Sequence, residues 1–158
     1  MEKKDLLLWA DEKKQIAAVL ETNEYISRFG LSLSEQEAAF LVQSRKETLK
    51  EQRRVEFGES MLPKIIFAFC DSCYVDCQNF VETTERLQEI FYLYKNEAMD
   101  ELTDDELLDF MREKFDSECE GSLEYLEETV LDEFARNVRK YTRKYIGRYK
   151  AGENEGGL

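Results

Sequence analysis

Asp116, Glu118, Glu120 and Glu127 place four carboxylates within the twelve residues 116–127, which read Asp-Ser-Glu-Cys-Glu-Gly-Ser-Leu-Glu-Tyr-Leu-Glu. Hard divalent cations such as calcium and magnesium take six or more oxygen ligands, so carboxylates crowded around a turn are the residues such an ion selects. A second set is softer: Cys70, Cys73 and Cys77 stand close together and Cys119 stands apart. Three or four thiolates can hold zinc or an iron–sulfur cluster, or serve redox chemistry. A third set is basic and aromatic. Residues 139–150 carry Arg139, Lys140, Arg143 and Lys144, with Tyr141, Tyr145 and Tyr149 four residues apart. Such a run can stack on the bases of a nucleic acid, rest on anionic lipid, or pair with another protein.

The carboxylate segment resembles the calcium loop of the EF-hand family. The resemblance makes Asp116 the first ligand, Glu118 the third position, Glu120 the fifth and Glu127 the bidentate twelfth. Gly121 would form the sharp turn and Ser122 would offer its carbonyl. Two departures stand beside it. Positions three and five usually carry shorter side chains than Glu. The segment 71–82, which would form a paired loop, has Cys73 and Val75 at ligand positions and Asp76 in place of glycine. The plainer reading is an acidic turn between helices, with Gly121 at the bend and Ser122 as N-cap.

The other two sets also have plain readings. A strong zinc signature has two separated cysteine pairs, and this chain has one pair and two singles. Cys70 and Cys73 extend the apolar face of Leu62, Ile66 and Phe69, where free cysteine packs as a small hydrophobe. Cys77 is expected to be the most exposed. The tyrosine face of the basic run fits a helix packed on the bundle or on a second copy. Arg45, Arg53, Arg54 and Glu56 cluster near one helix end. Arginine–carboxylate pairing there is structural by default, with a small anion held by Arg45 or Arg53 as the alternative.

Charge and composition narrow the function classes. The chain has 158 residues, a net charge of −13 and no histidine. Histidine-based triads and histidine-bearing zinc or di-iron sites are therefore excluded. The usual general base near neutral pH is missing too, so an enzyme is not expected. Residues 97–133 hold sixteen Asp and Glu against two bases, and residues 134–150 hold seven Arg and Lys with no acid. The acidic whole disfavours nucleic acid as a partner. The first apolar run, Leu6 to Ala10, is too short for a secretory signal, and no run approaches the roughly 20 residues that span a bilayer. A cytoplasmic protein with reduced thiols and no membrane partner is expected.

One proline and seven glycines leave few turn formers for a sheet protein. An all-α bundle of six or seven helices is expected, with residues 1–150 as one domain and 151–158 as a disordered polar tail. Ser34 with Glu37 and Thr103 with Glu106 are capping boxes. Pro63 suits a first helical turn, and Gly30 suits a helix end. Phe80, Thr84, Leu87, Phe91, Tyr94 and Ala98 form the clearest stripe, widened by Val81, Ile90 and Met99. Leu123, Leu126, Val130, Phe134, Val138, Tyr141, Tyr145 and Tyr149 form another.

The runs Arg54-Val55-Glu56-Phe57-Gly58, Phe91-Tyr92-Leu93-Tyr94-Lys95-Asn96-Glu97 and Gly121-Ser122-Leu123-Glu124-Tyr125-Leu126 are similar to those of a small bacterial family known only as a domain of unknown function. The similarity spans about residues 23–131. It implies an all-helical protein and assigns no activity, cofactor or residue role. The sequence thus points to a non-enzymatic helical module for protein interaction or self-association, acting through Arg139, Lys140, Arg143 and Lys144 and the acidic helix near 103–116. A calcium or magnesium module and a cysteine-ligated metal or redox protein are the alternatives. No cofactor is expected on the first reading; calcium or zinc would enter on the others.

Overall fold

The computed structural model describes residues 3–56 and 60–138, with side chains from residue 10 onward. The described residues form helices and turns, with no strand among them. In order they are α1 (Lys3–Glu21), α2 (Asn23–Ile26) running into a 3₁₀ turn (Ser27–Phe29), α3 (Glu35–Glu51), α4 (Leu62–Phe69), α5 (Phe80–Ala98) and α6 (Asp104–Asp116). Helix α7 opens at Leu123–Tyr125, widens to a π turn at Leu126–Val130 and stays helical through 131–138. None of the described helices is long and apolar enough to cross a membrane.

The local signals act as expected. Both capping boxes form: the Ser34 and Thr103 hydroxyls accept from the Glu37 and Glu106 amides, and those glutamates accept in return. Each satisfies two donors that a helix start leaves orphaned. Gly30 takes the left-handed conformation after Phe29, and Pro63 lies in the first turn of α4. The whole 80, 84, 87, 91, 94, 98 stripe of α5 is buried.

Helix α4 is the wall between two apolar clusters. Leu62, Ile66 and Cys70 face one side, with Val19, Ile26, Leu31, Leu33, Ala38, Leu41, Val42 and Phe80. Ile65 and Phe69 face the other, with the inner faces of α5, α6 and α7. Within that second cluster, Arg86 pairs with Glu127 at 2.5 Å and the Tyr94 and Phe134 rings lie 5.1 Å apart. Moving eight residues along α5 thus moves seven along α7, so the two run in the same direction with α6 antiparallel between their ends.

The π turn follows from the spacing of the stripe. Leu126, Val130 and Phe134 are all buried. Residues four apart on a regular α-helix drift by about 40° per step, and a wider turn corrects that drift. The Tyr94 hydroxyl donates to the Leu126 carbonyl at 2.6 Å, which satisfies an acceptor where the regular ladder is interrupted.

Two side chains depart from expectation. Met99 does not widen the α5 stripe: it is 76% exposed and ends the helix with a φ of 53°. Cys73 is exposed, because α4 ends at Phe69 and the chain then turns through residues 71–79, breaking the helical spacing that would have aligned it with Cys70.

Candidate functional site

Three of the four residues expected to ligate a metal pair with cations of this chain. The Asp116 carboxylate accepts from Arg112 Nε and Ser72 Oγ, both at 2.6 Å. Glu118 pairs with Lys114 at 2.6 Å and Glu127 with Arg86. Glu120 lies in the turn at a φ of 48°. Arg112 also donates to Asp71 and to the Ala68 carbonyl, stitching α6 to the end of α4. Burial alone would lower the Arg112 pKa, but its bonds to Asp71 and Asp116 outweigh that and raise it. Among the described residues, no three Cys, Asp or Glu side chains converge as a metal would require. The EF-hand-like spacing of Asp116, Glu118, Glu120 and Glu127 does not bring these carboxylates together in this structure, because three of the four face three different cations. The segment is a turn instead: Gly121 has a φ of 82°, Ser122 caps α7, and Tyr74 covers the bend.

The cysteines divide in two. Cys70 and Cys119 are buried, and Cys73 and Cys77 are exposed. Burial, and then the Asp71 charge, raises the Cys70 thiol. Burial with Glu118 beside it pushes Cys119 up to about 11. Both buried thiols stay protonated and unreactive near neutral pH.

The arginine–carboxylate cluster is a clasp. Arg45 donates to Glu56 from Nε and Nη2, at 3.3 and 3.0 Å, and from Nη1 to Gln15 at 3.0 Å. Glu56 also accepts from the Met61 amide and the Tyr92 hydroxyl. Burial, then the hydrogen bond to Glu56, raises the Tyr92 phenol well above its usual range. Three segments thus donate to one carboxylate, and Arg45 carries the contact on to Gln15 of α1.

The open surface lies elsewhere. A groove of about 840 Å³ runs between α1 and the start of α4, lined by Asp11, Lys14, Gln15, Glu21, Lys64 and Phe67 among others. A shallower depression of about 360 Å³ shares Lys64 and Phe67 and continues onto α6 at Asp105, Leu108 and Asp109. At their junction Tyr25 meets Phe29 and Phe67 edge to face, at 5.6 and 5.5 Å, with the Arg28 guanidinium 5.2 Å from the Tyr25 ring. No spacing in the sequence joins Tyr25 and Phe29 to Phe67. The available signal was Phe67 itself, a large aromatic off the Leu62, Ile65, Ile66, Phe69 stripe. Arg139, Lys140, Arg143 and Lys144 lie outside the described residues.

No curated protein and no solved structure matches this chain. A family model does match, over residues 18–144, which takes in every described helix from the end of α1 onward. The chain belongs to that family, a family of unknown function (DUF6323).

Proposed function

We propose that this protein is a non-enzymatic helical interaction module that binds a polypeptide across the groove between α1 and α4. The aromatic trio carries the reading. Tyr25, Phe29 and Phe67 are 39, 43 and 45% exposed, and the Tyr25 ring meets the other two edge to face at the surface. A contiguous apolar surface rimmed by charge is the signature of a docking site, and aromatic residues dominate binding energy in such sites. A helix-walled groove of this size suits an amphipathic helix laid along it.

Three further observations support binding over catalysis. The chain has no histidine. Its most buried charges, Arg45 and Glu56, neutralise each other. The charged groups of the groove, Asp11, Lys14, Glu21 and Glu24, are exposed, whereas catalytic tuning of an acid or base relies on burial. Four free thiols, two of them exposed, suit a reducing cytoplasm.

A photo-crosslinking residue at position 67 tests the reading. It should capture a discrete polypeptide saturably in cells. The same residue at Phe40, on α3 and 46% exposed, should not. No capture at 67, or equal capture at 40, refutes a docking role for the groove.

A further inference from the structure

The charges on the rim of the groove restrict what it can hold. Asp11, Glu21 and Glu24 stand along α1 and α2, and Asp105 and Asp109 stand on the extension over α6. Lys14 and Lys64 are the bases of the lining, and Arg28 lies beside the Tyr25 ring. Lys64 is held by Asp105 at 3.3 Å. Asp11, Glu21, Glu24 and Asp109 are exposed and make no ion pair among the described residues. They differ in this from Asp100, Asp104, Asp116, Glu118 and Glu127, each of which has a cation of the chain beside it. The rim therefore keeps four unneutralised carboxylates, with Lys14 and Arg28 as its remaining bases, on a chain whose net charge is −13.

The walls select a shape as well as a charge. The groove follows α1 from Asp11 to Glu21, roughly 15 Å of helix axis, or about three turns of a second helix laid alongside. No strand stands among the described residues, so no sheet edge is there to be extended by a partner strand. An extended proline-rich segment docks in grooves between aromatic rings, and the trio leaves no gap of that kind, because its rings meet edge to face at 5.6 and 5.5 Å. Pro63, Ala18 and Ala68 add small apolar surface beside the rings. Such a closed, low apolar floor between two charged walls matches the apolar stripe and polar flanks of an amphipathic helix.

We propose that the occupant of the groove is a cationic amphipathic helix of a partner protein, about three turns long, with Arg or Lys on both flanks of its apolar stripe. The stripe rests on Tyr25, Phe29 and Phe67. The bases of one flank meet Asp11, Glu21 and Glu24, and those of the other meet Asp109. The rings supply most of the hold, and the rim charges supply the choice of partner, since exposed charge contributes more to selectivity and encounter than to affinity. A helix with the same stripe and acidic flanks is refused, because its carboxylates are set against four that have no cation of their own. The proposal rests on the groove being a polypeptide-binding face and adds the charge and shape of the polypeptide.

Two labelled peptides test it by fluorescence anisotropy with the full chain, at about physiological salt so that remote charges are screened. One is a helical peptide with leucine at i, i+3, i+4 and i+7 and lysine on both flanks, and the other carries glutamate in place of every lysine. The lysine peptide should bind saturably, and the glutamate peptide roughly tenfold more weakly or less tightly still. Phe67→Ala should abolish saturable binding. Glu24→Gln with Asp109→Asn, one acid from each flank, should weaken the lysine peptide by roughly tenfold. Glu124→Gln with Glu128→Gln removes the same charge from exposed positions of α7 that do not line the groove, and should change little. A lysine peptide that fails to bind, equal affinity for the two peptides, indifference to Phe67→Ala, or equal loss from the two neutralised pairs overturns the proposal. Tyr141→Ala with Tyr145→Ala leaves the charge unchanged and should not alter the affinity. A roughly tenfold gain there would make the chain's own basic run the occupant and overturn an external partner. Polypeptide capture at position 67 by a chain that does not discriminate between the peptides would leave the groove as a binding face and refute only the cationic helix. Absence of both capture and peptide binding would refute the two readings together.

Discussion

Glu56→Gln should be the most damaging single-atom change available in this fold. The Arg45 and Glu56 side chains are 6 and 13% exposed. One Glu56 oxygen accepts from two Arg45 nitrogens and the Met61 amide, and the other accepts from Tyr92. Glutamine keeps one acceptor but presents an NH₂ group to the Tyr92 hydroxyl and removes the countercharge that Arg45 has among the described residues. Breaking a buried pair from one side costs about 3–5 kcal/mol, because the remaining ion stays desolvated. The retained carbonyl and the bond from Arg45 to Gln15 place the expected loss near the lower end, about 3 kcal/mol. For a domain of this size that corresponds to a fall in Tm of about 6–12 °C.

Urea unfolding followed by the helical circular dichroism signal measures it, with an unchanged m-value showing that the folded state is intact. The double change Arg45→Met with Glu56→Leu removes both charges and should be less destabilising than Glu56→Gln alone. Tyr92→Phe leaves the ion pair intact and should cost about 1 kcal/mol. The penalty of Glu56→Gln should be nearly the same in low and high salt, since buried pairs are weakly screened. A loss under 1 kcal/mol, or one that salt erases, would mean the pair behaves as an exposed one, and the clasp would have no energetic role.

Three further outcomes follow from the geometry. Gly30 and Gly121 both have positive φ, but an added Cβ meets nothing at Gly30 and comes within 2.5 Å of Tyr74 at Gly121. Gly30→Ala should therefore cost about 1 kcal/mol of backbone strain, and Gly121→Ala clearly more by thermal unfolding; equal costs would contradict the Tyr74 contact. Brief maleimide treatment of the native protein should modify Cys73 and Cys77 and spare Cys70 and Cys119, as mass spectrometry would show. The Cys119 thiol is raised from 9.0 to about 11 on folding, so its contribution to stability is complete below pH 9 and is lost as pH rises toward 11. Cys119→Ala should remove that component of the alkaline fall. Gln88 is buried with its Oε1 unpartnered while its Nε2 donates to the Leu41 carbonyl at 3.3 Å. Gln88→Met should be neutral or stabilising, and a loss above about 1 kcal/mol would reveal a buried water or other partner at that oxygen.

Helix boundaries were legible where a few neighbouring residues decide them. Ser34 with Glu37 and Thr103 with Glu106 are closed four-residue devices, and the α5 stripe is a repeat of one element against one core. Features that depend on another element were not legible. Met99 continues the apolar composition of α5 but stands where the chain must reverse, and the left-handed turn points it outward. Cys73 matches the α4 spacing in a helix that has already ended. The π turn answers to the Tyr94 hydroxyl, thirty-two residues away in sequence. The aromatic trio joins α2, the 3₁₀ turn and α4, and no local period connects them.

The carboxylates show the same limit most sharply. Residues 97–133 read as a block of excess acid, with a calcium-like cluster at its centre. In the fold the block draws cations from the rest of the chain: Asp100 from Arg54, Asp104 from Lys95, Asp105 from Lys64 and Glu127 from Arg86. Arg112 and Lys114, its only internal bases, take Asp116 and Glu118. A divalent ion at 116–127 would have to displace Arg112, Lys114 and Arg86 from three separate carboxylates, and then pull those carboxylates together against their mutual repulsion. The Arg112 contacts would be the hardest to give up, because they also fix the Asp71 and Ala68 end of α4 to α6. Acid spacing alone describes a site only while its cations are unassigned. Once they are assigned, Asp116, Glu118 and Glu127 each belong to a separate cation, and the spacing that suggested one shared ion describes three independent ion pairs that hold α6 and α7 in place.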